Sequence, residues 1–269
     1  MKEVAVIMSV YQGDKLQYVK DALKSLYSQT MSADIYIYQD GNIPYELEEY
    51  LNKELSNERI VHLEKNTINR GLAYSMNALL NITLDKYEYI MRMDADDISV
   101  KNRISLQYNF LEKHKDIDVV GGYIEEFSID MVYKKIVQYP LSQKEMFDFF
   151  SKRVPLAHVT AFFRKSFFHN SGYYATTTLS NEDTLLWMQG FKYKAVFANI
   201  PEVLVNVRVS QSFFARRGGI AKAWSDFKDR VLVIKTLGYN TSSYFYAIAL
   251  FFVNIAPSKI KQFLYKRLR

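Results

Sequence analysis

An α/β fold with a mostly parallel central sheet is what this 269-residue sequence predicts. Two observations carry that reading. Short runs that are apolar throughout recur along the first half of the chain, and such runs suit strands buried on both faces. Each is followed by a turn and then by apolar residues at helical spacing, the alternation that builds a parallel sheet covered by helices. Hydrophobic residues at 49% and charged residues at 24% make an ordinary folded chain, long enough for a substantial core. No internal repeat, low-complexity tract or linker rich in Pro, Gly or Ser divides it, so one continuous domain is expected.

Val4 to Met8 reads as the first strand, broken by Ser9-Val10-Tyr11-Gln12-Gly13. Leu16, Val19, Ala22, Leu23 and Leu26 then share one face of an amphipathic helix ending near Gln29. Ile35 to Tyr38 is a second strand, ending at Gln39-Asp40-Gly41-Asn42, and a helix over Tyr45 to Leu55 leads to a third strand at Ile60 to Leu63. Asn69-Arg70-Gly71 opens a further helix, and Tyr87 to Met93 is the fourth strand. The second half is less regular. Helices are expected over Asn102 to Lys113 and Gln143 to Lys152, strands over Val119 to Ile129, Val132 to Tyr139 and the run up to Arg164. A helix starting at Asn181-Glu182-Asp183 and a late strand at Val203 to Val207 complete the pattern.

The absence of cysteine excludes disulfides, thiol nucleophiles and thiolate-bound zinc, and fits a reducing compartment. Met1 to Met8 runs straight into a strand without a long apolar leader, so no secretion signal is expected. A net charge of +6 points to an anionic partner, and Lys259, Lys261, Lys266, Arg267 and Arg269 gather at the end of the chain. Tyr244 to Ala256 is almost unbroken in its apolarity but shorter than the roughly 20 residues a helical crossing needs. Beyond Pro257, Ile260, Phe263, Leu264 and Leu268 line one side of a short basic helix. That combination suits an interfacial helix on anionic lipid, with a terminal helix packed on the domain as the alternative. The basic residues follow no nucleic-acid motif, so no nucleic-acid partner is expected.

The chemistry concentrates at Asp94-Ala95-Asp96-Asp97, where the fourth strand delivers three carboxylates in four positions. Like charges this close raise one another's pKa, and a hard divalent cation relieves them. A solvated turn or a helix cap is the plainer reading. Tyr11 and Asp40 also follow strand ends, and ligands of open α/β sheets bind beyond the carboxyl ends of strands, so one crevice is expected to hold all three. Neither G-x-G-x-x-G nor G-x-x-x-x-G-K-[ST] occurs, which leaves a metal rather than a glycine cradle to hold phosphate. Glu182 and Asp183 sit at a helix start, where acids also favour the dipole.

Ser9-Val10-Tyr11, Asp40-Gly41, Asn69-x-Gly71, Asp94-Ala95-Asp96-Asp97, Arg103 with Gln107, and Glu182-Asp183 together resemble a family 2 glycosyltransferase with the GT-A fold. The resemblance spans roughly Val4 to Arg217. The surroundings of His158 and Arg164, and Ala198 to Leu204, are similar to the branch that builds bacterial O-antigen, capsule and exopolysaccharide. The resemblance implies a Rossmann-like GT-A domain over residues 1–238, with a nucleotide-sugar half at 1–120 and an acceptor half at 121–238. Residues 239–269 would be a helical, membrane-associating extension. Ser9, Val10, Tyr11, Asp40, Arg70, Asp94 and Ala95 would then contact the nucleotide sugar, Tyr11 lying against the base and Asp40 accepting from its ring N–H. Asp96, with Asp94, would hold Mn2+ or Mg2+, and Asp183 would be the catalytic base, aided by Glu182. Asp97, His158, Glu182, Trp187, Arg208, Arg216 and Arg217 are the candidates on the acceptor or phosphate side. Asp97 is also a candidate cap for the next helix, His158 a packed histidine, and Arg216 and Arg217 the cations of a structural salt bridge. Two features depart from the family pattern. Gln39 stands where many relatives have an acid, and no Gln-x-x-Arg-Trp follows Asp183, which argues against processive polymerisation.

The expected activity is therefore inverting, non-processive transfer of a hexose from a UDP-sugar to a lipid-pyrophosphate-linked saccharide, at the cytoplasmic face of the cell membrane. A nucleotidyltransferase making sugar nucleotides is the rival within the fold, although its glycine-rich, lysine-containing stretch is missing. A non-catalytic module binding saccharide or anionic lipid is the rival outside it.

Overall fold

The computed structural model describes residues 3–128, 133–178, 181–209 and 219–255. Its first half is a succession of strand and crossover helix. β1 (Val4–Tyr11), β2 (Asp34–Asp40), β3 (His62–Asn66) and β4 (Tyr89–Asp94) are linked by α1 (Leu16–Tyr27), α2 (Tyr45–Ser56) and α3 (Leu72–Thr83). They lie side by side in the order β3-β2-β1-β4, all parallel. The chain moves outward from β1 to β3 and then returns to the other side of β1. That reversal opens a crevice at the carboxyl ends of β1 and β4, the usual ligand position in such sheets.

The second half extends the same sheet with mixed direction. β5 (Ile98–Ser99) and α4 (Arg103–Lys113) precede β6 (Val119–Ser128), β7 (Tyr133–Val137) and α5 (Gln143–Phe150). A 3-10 turn at His158–Thr160 leads into β8 (Phe162–Arg164), α6 (Lys165–Ser171), α7 (Glu182–Lys192) and β9 (Phe197–Arg208). α8 (Ile220–Leu237) and α9 (Ser242–Ile255) follow. The sheet continues from β4 through β8, β6 and β9 to β5, with β7 also paired to β6. β8 runs antiparallel to both neighbours, whereas β6 and β9 are parallel to each other. The mostly parallel α/β sheet expected from the sequence is present.

Side-chain alternation decides what reaches the crevice. Val4, Val6, Met8 and Val10 of β1 face a core shared with α1 and α2, while Ala5 and Ile7 face a second core beneath α3, α6 and α7. Ser9 and Tyr11 continue the second set, past the end of that core, so they emerge at the crevice. The same parity carries Tyr36 and Tyr38 on to Asp40, and Ile90 on to Arg92 and Asp94.

Several sequence expectations shift. The third strand is His62–Asn66, not Ile60 to Leu63: Ile60 is buried ahead of it, and an edge strand paired only to β2 needs little apolar sequence. Val203 to Val207 is the end of the longer β9. Two helices were not expected, the short α6 and the 18-residue α8; α8 buries few apolar residues along its length, which hides its period. Arg216, Arg217 and the basic stretch after Pro257 lie outside the described residues.

Candidate active site

A cleft of about 1100 Å³ opens beyond the carboxyl ends of β1, β2 and β4. Ser9, Tyr11, Asp40, Asp94, Ala95, Asp96, Asp97, His158, Glu182, Asp183 and Arg208 all line it. Tertiary folding thus brings together residues from both halves of the chain. Val10 is not among them: it is fully buried in the core beneath α1, because its neighbours Ser9 and Tyr11 take the crevice parity. Trp187 is likewise fully buried, against Phe163 and Phe197. Arg70 turns outward, its guanidinium 4.7 Å from the Tyr74 ring centroid.

At the end of β2, Asp40 organises the loop before α3. Its carboxylate, 3% exposed, accepts from the backbone N–H of Arg70 at 2.7 Å and of Gly71 at 2.8 Å. Gly71 is the N-cap of α3 and Arg70 the residue before it, and a carboxylate at a helix start is favoured both by hydrogen bonding and by the helix dipole. Asn69 Nδ2 donates to the Asp40 carbonyl at 3.2 Å, which ties Asn69-x-Gly71 to Asp40-Gly41. Gly71 at φ 89° and Gly41 at φ 86° occupy backbone regions that side chains strain. The spacing noticed in the sequence is therefore a folded unit.

The acidic cluster sits at the end of β4. One carboxylate oxygen from each of Asp94, Asp96 and Asp97 lies within 4.8 Å of the others. All-oxygen donor sets of this kind fit Mg2+ or Mn2+. The three acids are not equivalent. Arg92, two positions before Asp94 on the same face, grips it through both guanidinium nitrogens, with Nη1 to Oδ2 at 2.6 Å. Arg92 is 3% exposed; burial opposes its charge, but Asp94 outweighs this and holds the guanidinium above its ordinary pKa. Its Nε is buried without a hydrogen-bond partner. Asp97, also 3% exposed, accepts from the Arg208 backbone N–H at 2.8 Å, joining β5 to β9. Asp97 does not cap a helix, because β5 intervenes and α4 begins after Asn102. Burial, then the charges of Asp96 and Asp94, push its carboxyl well above the ordinary range.

Arg208 closes this side. Its Nε donates to the Asp96 carbonyl at 3.1 Å, its Nη2 to Asp21 at 3.2 Å, and it stacks over Tyr18 at 4.0 Å. Behind the cluster, fully buried Arg103 donates to the Arg92 carbonyl at 2.9 Å and to Gln107 at 2.9 Å. Gln107 Nε2 in turn donates to the carbonyls of Val120 and Thr160. Arg103 and Gln107 thus tie β4, β6 and the His158–Thr160 turn together behind the acids.

Across the cleft, Glu182 and Asp183 begin α7. Burial, with Asp183 beside it, raises the Glu182 carboxyl, and Arg92 partly offsets this. Asp183 Oδ1 accepts from the Thr184 N–H at 2.6 Å. Just before them, Asn181 Nδ2 donates to Asp226 at 2.9 Å and to Asp229 at 2.7 Å, so α8 fixes the start of α7. His158 Nε2 lies 2.9 Å from the hydroxyl of Tyr174, and burial together with Arg92 holds its imidazole well below 6.5. His158 is therefore a neutral, hydrogen-bonded wall residue. Sequence reading missed Arg92, Tyr174 and Arg230 among the cleft's surroundings. Strand parity signals Arg92, but nothing local marks the other two.

Comparison with known proteins agrees with this geometry. A family model described as Glycosyl transferase family 2 matches residues 5–172. The UDP-Gal:alpha-D-GlcNAc-diphosphoundecaprenol beta-1,3-galactosyltransferase of Escherichia coli is 28% identical over 267 residues, 98% of this chain and 95% of its own. The amylovoran biosynthesis glycosyltransferase AmsE of Erwinia amylovora is 29% identical over 272 residues, 98% of each chain. In fold, the chain is similar to the mannosyltransferase PcManGT of Pyrobaculum calidifontis, solved with GDP-Man and Mn2+. The TM-score is 0.64 at 14% identity, over 92% of this chain and 73% of that one. The GT-A fold, the acidic cluster at the end of β4 and the family match converge: the chain belongs to glycosyl transferase family 2.

Proposed function

We propose that the cleft transfers a hexose from a UDP-sugar to a saccharide carried on a lipid diphosphate, with inversion and without processive polymerisation. The observation that carries this reading is the meeting of two acidic groups in one cleft, Asp94-Asp96-Asp97 at the end of β4 and Glu182-Asp183 at the start of α7. The printed activity of the E. coli relative, a UDP-Gal-dependent transfer to a diphosphoundecaprenol-linked sugar, supports the donor and acceptor classes. Asp96 and Asp94 would hold a divalent cation, which would supply Lewis-acid stabilisation of the charge that develops on the departing nucleoside diphosphate. Ser9, Tyr11 and the Asp40-braced loop form the nucleotide wall. Asp183 takes the proton of the acceptor hydroxyl as its oxygen bonds to the anomeric carbon. The bond from that carbon to the diphosphate oxygen breaks on the opposite side, and its electron pair leaves with the UDP. Glu182 stands beside it in the first turn of α7, its own carboxyl raised by burial and by the charge of Asp183.

Among the described residues no helix is long and apolar enough to cross a membrane. α9 nevertheless exposes Phe245, Ile248, Phe252 and Ile255. These fall along one side of the helix, which supports peripheral attachment to the cytoplasmic face of the cell membrane.

The test is transfer from UDP-hexoses, with Mn2+ or Mg2+, to a lipid-diphosphate-linked sugar. Asp183→Asn is expected to lower turnover by about 10²- to 10⁴-fold, the usual weight of a general base, with UDP affinity unchanged. Intact turnover in that variant removes Asp183 from the reaction.

A further inference from the structure

Arg230 of α8 lines the cleft although it is only 7% exposed. Its Nη1 donates to the Phe150 carbonyl at 2.7 Å and its guanidinium lies over the Phe150 ring at 5.6 Å. No carboxylate lies within ion-pair distance of it among the described residues; Asp183 and Asp226 act on its charge only from farther off, and its one described hydrogen bond is to that carbonyl. A buried guanidinium has five donors and a charge that is costly to hide, so one with a single carbonyl partner is short of an anion. Lys152 and Arg153, just beyond α5, line the same cleft, also without an ion pair among the described residues. Phe149 and Leu250 line it beside them, and Leu250 belongs to α9.

We infer that Arg230, Lys152 and Arg153 form an anion subsite for the diphosphate of the acceptor, with the first carbons of its lipid on Phe149 and Leu250. The assignment rests on the proposed transfer to a lipid-diphosphate-linked sugar and adds where that acceptor is held. In this assignment Asp183 meets the reacting hydroxyl, the three cations meet the diphosphate on the sugar's anomeric carbon, and Phe149 and Leu250 meet the first carbons of the lipid; all of these residues line the one cleft. The nucleotide's own diphosphate is accounted for at the acidic cluster, so the two phosphate groups occupy different walls.

Calorimetric titration of octyl diphosphate into the full chain, saturated with UDP and Mn2+, tests this without requiring turnover. Octyl diphosphate is expected to bind at least ~10-fold more tightly than octyl phosphate or inorganic pyrophosphate, a step worth about 1.4 kcal/mol. Lys152→Ala with Arg153→Ala, and separately Arg230→Gln, are expected to weaken it by at least ~10-fold while UDP affinity holds. Exposed Lys152 and half-buried Arg153 keep the test decisive if Arg230→Gln fails to fold. Absence of binding to the wild type, equal binding of inorganic pyrophosphate, or unchanged affinity in the Lys152/Arg153 variant overturns the subsite. Binding that is lost in the variants, in a protein that uses no UDP-sugar, overturns the glycosyl-transfer reading and leaves the subsite standing. Transfer that proceeds with an unchanged acceptor KM in the Lys152/Arg153 variant does the reverse.

Discussion

Arg92 shows how one side chain sets the character of the acidic cluster. It and Asp94 point the same way because strand side chains alternate, and the pair buries a cation that has no water to solvate it. Asp94 is a third exposed at its side chain, so the pair is neither fully buried nor a surface contact. Arg92→Met leaves Asp94 facing Asp96 and Asp97 alone. The expected cost is about 2–4 kcal/mol in urea unfolding, somewhat below that of breaking a wholly buried pair. Added Mn2+ should narrow the gap, since the cation replaces the missing positive charge; an unchanged gap means that Arg92 and the metal do not share Asp94. His158 gives a pH signature. Its pKa is depressed in the fold, so the unfolded chain binds the proton first. The stabilisation is complete above the ordinary value of 6.5 and is lost as pH falls below it. In the acid range the wild type should lose up to about 1.4 kcal/mol more per pH unit than His158→Gln. Parallel melting-temperature profiles for the two proteins would contradict this.

At the scale of elements, the late helices do more than trail from the domain. α8 holds the start of α7 through Asn181, Asp226 and Asp229, and it delivers Arg230 to the cleft. α9 packs on α8 through Trp224, Phe227 and Phe251, then shows its other face to solvent. Phe245 is 74% and Phe252 60% exposed, and each fully buried aromatic side chain is worth roughly 1.5–3 kcal/mol. Phe245→Ser with Phe252→Ser should therefore reduce co-sedimentation with phosphatidylglycerol vesicles by about 10-fold or more, with UDP affinity intact. Equal sedimentation of variant and wild type would show that α9 does not carry the attachment.

For the whole molecule, the sheet is a single rigid base from which both halves of the chain contribute to one cleft. UDP and Mn2+ should therefore stabilise the protein together by more than the sum of their separate effects. At 100 times its dissociation constant a ligand adds about 2.7 kcal/mol of apparent stability. Asp96→Ala is expected to remove the metal-dependent part of the thermal shift and leave the remainder; an additive response in the wild type would separate the metal from the nucleotide.

Much of this was legible in the residues themselves. The apolar runs of β1, β2 and β4 specify buried strands by composition alone, and the strand ends place Tyr11, Asp40 and Asp94 at one edge. The order of those local features also sufficed for the family resemblance. What only tertiary structure decided is how the groups divide their work. Strand parity sends Val10 into the core and Arg92 onto Asp94. A pairing between β5 and β9 turns Asp97 from an expected cap into a cross-sheet acceptor. Arg230 reaches the cleft from a helix far along the chain. The contacts of Asp97 and Arg230 join residues distant in sequence, and local periodicity reports which face a side chain takes but not what waits on that face.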